Sequence, residues 1–369
     1  MYDVIIVGAG LSGLTASFKL SENGFNTLLI DYKKRVGKPI VCGEYLPYLD
    51  EIAFALKSRS IVEAYDIINK YSTKLSKTNG IKVCFESVRE FSFDIEGFVI
   101  DREQFQNRLL AISRSEVVLG ERVTKVELSN REILVKTDKG NIFKGRYLVG
   151  ADGYPSTVAK KLELTDGYDE WDWAINISTR ATLPKAFSKE VYMFISPKLT
   201  PGGYGWVIPR GERYNIGLGV RKAYLPSLNI INVFKRFKKR ISEEFGRPKE
   251  MESKKLKPVP VGGVVRKLYF KNVLLVGDAA GLVNPINGGG IFTAIASGLL
   301  AAEAITNGNI EMYYKRVKEE IKPLIDVGLR YRKLVDKLFR KWNSLSFLVK
   351  IIPVSMAKRI LKGENIFNI

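Results

Sequence analysis

Histidine is absent from all 369 residues, and cysteine occurs only twice, as Cys42 and Cys84. The first absence excludes Ser-His-Asp and Cys-His catalysis together with His-ligated zinc and iron. The second leaves too few thiolates for a structural zinc or an iron–sulfur cluster, so no metal site is expected. Acid–base work falls to Asp, Glu, Lys, Tyr or a cofactor. Long apolar runs are missing too: none approaches the roughly 20 residues that span a bilayer. The opening Met-Tyr-Asp-Val-Ile-Ile-Val-Gly enters a strand pattern directly, without a basic n-region or cleavage site, so no secretory signal is expected. With so few cysteines, the reducing cytoplasm is the expected compartment. Acidic residues are outnumbered, 39 Asp and Glu against 59 Lys and Arg, for a net charge of +20. Such a field favours diphosphates, acidic lipid surfaces or acidic proteins. No helix-turn-helix, zinc or RNP pattern accompanies it, so nucleic acid is not an expected partner.

A hydrophobic content of 46% with 27% charged residues describes a globular chain, and the length suits two or three structural units. Residues 2–7 read as a buried strand, 11–23 as a helix and 26–30 as a second strand, a βαβ opening. Residues 33–47 are loop-like, and a helical pattern fills about 50–70. Short strands follow near 81–86 and 90–100, then a helix over 101–113. Strand signals recur at 116–119, 123–129, 133–137 and 147–150. The stretch from 172 to 220 is strand-rich, and a basic amphipathic helix covers 229–244. Residues 273–277 form another apolar strand, and 292–306 a helix of small residues. Beyond 309 the pattern is helical with a break at Pro353.

Three motifs carry chemistry. Gly8-Ala9-Gly10-Leu11-Ser12-Gly13 lies between a strand and a helix, with Asp31 closing the second strand. Glycines there allow a tight turn, close approach of backbone to a pyrophosphate and tight helix–strand packing, while the acid can accept ribose hydroxyls. Leu148-Val149-Gly150-Ala151-Asp152-Gly153 is an apolar strand running into a turn. Val276-Gly277-Asp278 ends a third strand, and Gly288-Gly289-Gly290 then opens a helix. That order brings a carboxylate and helix-terminal N–H groups to one place.

In this order the motifs resemble the FAD-dependent fold shared by aromatic hydroxylases, flavin halogenases and geranylgeranyl reductases. The resemblance implies an α/β flavoprotein of the p-hydroxybenzoate-hydroxylase type. It has a Rossmann-type FAD domain, a β-sheet substrate domain and a helical C-terminus. It places Gly8, Gly10, Gly13 and Asp31 at the ADP half of FAD, and Asp152 and Gly153 close to the cofactor. Asp278 falls at the ribitol and pyrophosphate, and Gly288, Gly289 and Gly290 at the flavin ring. Arg102 matches an arginine at the start of the helix flanking FAD. The expected divisions are 1–60, 95–165 and 264–308 for FAD, 61–94 and 166–263 for substrate, and 309–369 for the C-terminal helices.

Two further features resemble geranylgeranyl reductases. Tyr204-Gly205-Trp206-Val207-Ile208-Pro209 is similar to their Tyr-x-Trp-x-Phe-Pro signature, and also to the halogenase Trp-x-Trp-x-Ile-Pro motif. On a strand, Tyr204, Trp206 and Ile208 share one face, a flat apolar wall suited to a polyprenyl chain. The loop Cys42-Gly43-Glu44 resembles a Cys-Gly loop of prenyl reductases, so Tyr204, Trp206 and Cys42 are the catalytic candidates; Cys42 reads equally well as a small buried hydrophobe.

The implied activity is FAD-dependent saturation of geranylgeranyl chains on an isoprenoid diphosphate or an archaeal-type ether lipid. The alternatives are a flavin monooxygenase or halogenase, and a flavoprotein that relays electrons or binds lipid. Tyr204, Cys42, Glu44, a lysine or a flavin-bound water could supply the proton, and N–H groups of Gly289 and Gly290 would face the flavin N1–C2=O edge. NAD(P)H or a ferredoxin-like carrier would be the reductant, since no second dinucleotide fingerprint is present. The apolar run 345–356, followed by Lys358, Arg359 and Lys362, reads either as a peripheral dock on the anionic inner face of the cell membrane or as a helix closing the substrate cavity.

Overall fold

The structure, a computed structural model, describes residues 1–129, 132–167, 169–185 and 189–366. Strand Tyr2–Val7 lies between two parallel neighbours, Thr27–Asp31 and Ile142–Gly150. Parallel pairing continues to Glu116–Leu119 on one side and Val273–Leu275 on the other. Covered on both faces, the central strands are continuous apolar runs rather than alternating ones: Val4, Ile5, Leu28, Leu29, Leu148 and Val273 are fully buried. Strand Ile142–Gly150 is longer than its apolar end suggests. Its first half pairs antiparallel with Ile133–Thr137, which in turn pairs with Val123–Leu128.

The helices are α1 (Leu11–Glu22), α2 (Arg59–Tyr71), α3 (Arg102–Ile112), α4 (Thr157–Lys161), α5 (Ile230–Phe245), α6 (Ile291–Thr306), α7 (Ile310–Glu320), α8 (Lys322–Arg340), α9 (Trp342–Ile351) and α10 (Val354–Lys362). None is long and apolar enough to cross a membrane among the described residues. The small residues of α6 have a packing reason. A Cβ at Gly298 would lie 2.4 Å from the Ser12 carbonyl oxygen, so α6 crosses α1 almost backbone to backbone. Tyr313 of α7 is fully buried and donates its hydroxyl to the Leu275 carbonyl at 2.5 Å.

A second sheet of seven strands runs in the order Lys255–Pro260, Trp173–Ala181, Arg213–Arg221, Gly205–Arg210, Glu190–Ile195, Gly80–Phe85, Arg89–Phe93. Its faces are separated by alternation along each strand. Val207, Ile216 and Leu218 pack with Phe234 and Phe237 of α5. Trp206 and Ile208 point the other way, into a cluster with Val83, Phe91 and the C-terminal residues Phe339, Leu345 and Val349. A small sheet of Tyr45–Pro47, Gly97–Ile100 and Lys74–Thr78 bridges the two.

Three expectations change. The helix expected over 50–70 begins only at Arg59, because Ser58 caps it by accepting the Ile61 N–H at 3.3 Å, and two 3₁₀ turns precede it. Its inner face, Ile61, Ala64, Ile67 and Ile68, packs into the core of the first sheet. Strand Lys255–Pro260 had no signal because it carries Pro258 and Pro260. An edge position tolerates them, since an edge strand needs only half its backbone donors. The C-terminal helices break at Ile321 and Lys341 as well as at Pro353, and 367–369 lie outside the described residues.

Candidate active site

The C-terminal ends of the parallel strands open on a cavity of about 500 Å³ that reaches the apolar face of the second sheet. Gly8, Gly10, Asp31, Arg102, Asp152 and Gly153 line it, and so do Asp278, Gly288, Gly289, Gly290, Cys42, Tyr204 and Trp206. Gly13 does not. A Cβ on it would sit 1.9 Å from the Gly8 carbonyl oxygen, so its service is to seat α1 on the turn. Gly8 holds a φ of +110°, which a side chain would strain.

Two helix N-termini aim at the cavity uncapped. α1 starts after Gly10 with no side-chain cap and no acid in its first turn. α6 starts after Gly290, also without a side-chain cap, and its Ile291, Phe292 and Thr293 form wall. Their leading N–H groups have no intrahelical acceptor, and each helix end carries partial positive charge.

The three acids differ. Asp31 is buried and accepts the Ala9 N–H at 2.6 Å and the Lys33 N–H at 2.7 Å, fixing the glycine turn. Asp152 accepts the Ser156 hydroxyl and the Thr157 N–H, both at 2.6 Å, and the Val158 N–H at 3.1 Å. Its carboxylate therefore caps α4, and burial raises its pKa against those bonds. Asp278 pairs with Lys257 at 2.8 Å. Burial pushes its pKa up, but Lys257 first, then Arg102 and Lys33, hold it below the usual carboxylate value. Arg102 Nε is buried without a hydrogen-bond partner among the described residues.

On the opposite wall the rings of Tyr204 and Trp206 lie 6.0 Å apart. Tyr204 donates its hydroxyl to the Asn287 carbonyl at 2.5 Å, tying the apolar wall to the glycine loop. Burial raises its pKa well above the tyrosine norm, so it stays protonated. Trp206 Nε1 donates to Asn215 Oδ1 at 2.9 Å, and Asn215 Nδ2 donates to the Cys42 carbonyl at 2.6 Å. The Cys42 sulfur accepts the Glu44 N–H at 3.3 Å. Glu44 itself is fully buried and takes Arg210 Nε at 2.8 Å, Arg180 Nη2 at 3.2 Å and the Arg102 N–H at 3.2 Å.

This geometry has counterparts. Residues 114–306 match a family model described as FAD binding domain, and residues 6–40 one described as NAD(P)-binding Rossmann-like domain. The chain belongs to the FAD-binding-domain family. It is an FAD-dependent oxidoreductase, similar to the digeranylgeranylglycerophospholipid reductase of Methanococcus aeolicus at 29% identity over 92% of this chain and 88% of the relative. The protein of that name from Methanocaldococcus jannaschii is 27% identical over the same shares, 92% and 88%. The fold matches a geranylgeranyl bacteriochlorophyll reductase-like protein from Thermoplasma acidophilum with a TM-score of 0.79 at 23% identity, over 98% and 95% of the two chains. A flavin-dependent brominase shares the fold more distantly, with a TM-score of 0.69 at 16% identity over 98% and 93%.

The residues present in this oxidoreductase fit FAD. The partnerless Arg102 Nε, the cations Lys33 and Lys257 and two uncapped helix ends make a donor set for a dinucleotide's phosphates and an electron-rich ring edge. Two readings need correction. The Gly289 N–H is taken by Asn287 Oδ1 at 2.9 Å, so of the expected pair Gly290 is left, together with the first turn of α6. Glu44 cannot serve as a free acid, since its carboxylate is bound by two guanidinium groups. Cys84 is buried in the second sheet, its thiol pKa pushed by burial to about 12.

Lys257, Asn287, Arg180, Arg210 and Asn215 were not expected from sequence. Each meets its partner only through long-range folding, so no local spacing marks it. Because the Asp278 pKa is depressed in the folded protein, its stabilising effect is complete above the unfolded value of about 4 and is lost as pH falls through the lower folded value. Lys257→Met removes the main cause. We expect the stability gap between wild type and this variant, read by urea unfolding, to be widest near pH 7 and to narrow as pH falls below about 4.

Proposed function

We propose that this oxidoreductase saturates C=C bonds of geranylgeranyl chains carried on an isoprenoid diphosphate or an archaeal-type ether lipid. The observation that carries the reading is the apolar wall of Tyr204, Trp206 and Ile208 facing the uncapped start of α6 across one cavity. A polyprenyl chain offers only methyls and double bonds, which such a wall can hold. The methanogen relatives, digeranylgeranylglycerophospholipid reductases by name and aligned along most of both chains, point the same way.

In this reading Gly8, Gly10, Gly13 and Asp31 shape the ADP side, and the α1 terminus, Arg102 and Lys33 take the pyrophosphate. Asp278, fixed by Lys257, accepts ribityl hydroxyls. Gly288, Gly290 and the first turn of α6 border the flavin, while Asp152 and Gly153 hold the floor through α4. The FAD-binding division then gains 61–71, and the rest of the expected division stands as our proposal.

FAD, when bound and reduced, supplies a hydride equivalent to one alkene carbon. The adjacent carbon needs a proton. Of the three side chains named for this, Tyr204 has committed its proton to the Asn287 carbonyl and Glu44 is tied to arginines, so we assign the donor to the Cys42 thiol ahead of a lysine or a water. Its sulfur accepts a backbone N–H, which leaves the S–H free to point elsewhere. The thiolate regains a proton from solvent. Trp206, locked by Asn215, keeps the chain against the ring and water out.

The reductant is NAD(P)H bound transiently or a ferredoxin-like carrier. Lys235, Lys239, Arg247 and Lys254 gather round Lys238 in a cationic cleft that suits an acidic carrier. A lipid substrate also puts the protein at the inner face of the cell membrane. The test is anaerobic incubation of chemically reduced enzyme with geranylgeranyl diphosphate and with digeranylgeranylglycerophospholipid, followed by mass spectrometry. We expect two hydrogens gained per double bond. In Cys42→Ser the rate should fall by about 10²–10⁴-fold with FAD content unchanged. Unaltered lipid combined with rapid oxygen consumption would move the assignment to a monooxygenase.

A further inference from the structure

We infer that α9 and the start of α10 dock the protein on a bilayer rich in anionic lipid and pass substrate from it into the cavity that the end of α10 borders. Only the nature of what is passed rests on the lipid-substrate reading above. The argument starts from charge. Residues 337–363 contain seven Lys or Arg and not one Asp or Glu. Lys358, Arg359 and Lys362 are paired, with Asp94, Glu364 and Glu51. Lys337, Lys341 and Lys350 are exposed and have no ion pair among the described residues.

Beside these cations the helices show apolar side chains to solvent. Phe347 is 63% exposed, Ile351 58%, Val354 47% and Leu348 42%. Within so short a stretch this is a patch rather than scatter. The other face of α9 is inward, and the end of α10 reaches the cavity. Leu345 and Val349 are buried in the cluster that contains Trp206 and Ile208, and Leu361 and Lys362 line the cavity itself.

The docking face is anchored where α9 ends. Arg89 donates to the carbonyls of Lys350 and Ile352, each at 3.0 Å, and caps the end of α9. Aromatic and aliphatic tips ringed by lysines whose stems can lie along the interface are what an anionic leaflet accepts; a protein partner would need acids matched one by one. The apolar run is too short to span a membrane, so the contact is in-plane.

Vesicle flotation tests this with full-length holoenzyme. Wild type should float with vesicles of equal phosphatidylglycerol and phosphatidylcholine, release as salt rises, and stay behind with phosphatidylcholine alone. The F347S/I351S variant should lose at least about ten-fold in partition, and K341E/K350E roughly 30-fold at low salt. Both should keep wild-type FAD content, melting temperature and turnover of detergent-dispersed geranylgeranyl lipid. Equal partition onto neutral vesicles, or variants that float like wild type, would overturn the docking surface. So would a patch that serves only to join two copies, seen as F347S/I351S turning a dimer to monomer with no vesicle binding in either form. Docking by an enzyme that reduces no prenyl lipid upholds the surface and removes the substrate reading alone.

Discussion

Replacing Gly10 with aspartate is expected to empty the protein of FAD without unfolding it. Gly10 sits at φ −77° and ψ 179°, an extended conformation open to any residue, and a Cβ built on it meets nothing within 4 Å. As the residue before α1, an aspartate there would accept the leading N–H groups and complement the helix end, a gain of about 0.5–1 kcal/mol for the apoprotein. It would also fill the donors that we propose for the pyrophosphate and place like charge against it. FAD affinity should drop on the order of 100-fold or more, about 2.8 kcal/mol. Gly13→Ala inverts the pattern. Alanine is ordinarily the better helix residue by about 1 kcal/mol, yet its Cβ would overlap the Gly8 carbonyl oxygen, so the fold itself should lose about 1–3 kcal/mol. Apoprotein melting curves beside FAD fluorescence titrations separate the two. Equal loss of stability in both variants would defeat the distinction.

That contrast shows what was legible in the sequence. The glycine motifs could be read because their constraint is local: a strand, a turn and a helix within a dozen residues leave few alternatives. Asp31 and Asp278 were legible as carboxylates delivered by strand ends. What Asp152 does was not, although Ser156 and Thr157 a few residues on are the groups it binds, an N-cap signal that went unread. The wall of Tyr204, Trp206 and Ile208 followed from strand alternation alone.

The parts that escaped are those made by distance along the chain. Lys257 stands on an edge strand hidden by its prolines, and it reaches Asp278 only when the two sheets close on the cavity. Helix α2 carries an apolar face that would suit any core. Only packing on α6 decides which sheet it joins. The C-terminal run gave two alternatives, docking and closing the cavity; in the fold α9 packs Leu345 and Val349 beside Trp206 on one side and shows Phe347 and Ile351 to solvent on the other.

Glu44 gives the second large effect. Its φ of +61° is a strained position for a side chain, and its carboxylate is the common acceptor for Arg180, Arg210, the Arg102 N–H and, at 3.4 Å, Asn215. One buried charge thus joins the cofactor helix α3, three strands of the second sheet and the Cys42 loop. Glu44→Gln keeps the volume and removes the charge, leaving two nearly buried guanidinium groups. Arg210 retains Asp101 at 3.3 Å, but Arg180 retains no acid among its ion pairs. We expect a loss of about 3 kcal/mol in urea unfolding, the lower end of the cost of breaking a buried pair. Arg180→Gln in the Glu44→Gln background removes the stranded cation and should return part of that loss, giving a coupling energy of about 1–3 kcal/mol in the double-mutant cycle. The functional loss should not return with it. Asn215 holds Trp206 and the Cys42 carbonyl in register with Glu44, so the Glu44→Gln single variant and the double variant should both bind FAD while turning over prenyl lipid at least about ten-fold more slowly. Recovery of activity together with stability in the double variant would reduce Glu44 to a structural residue.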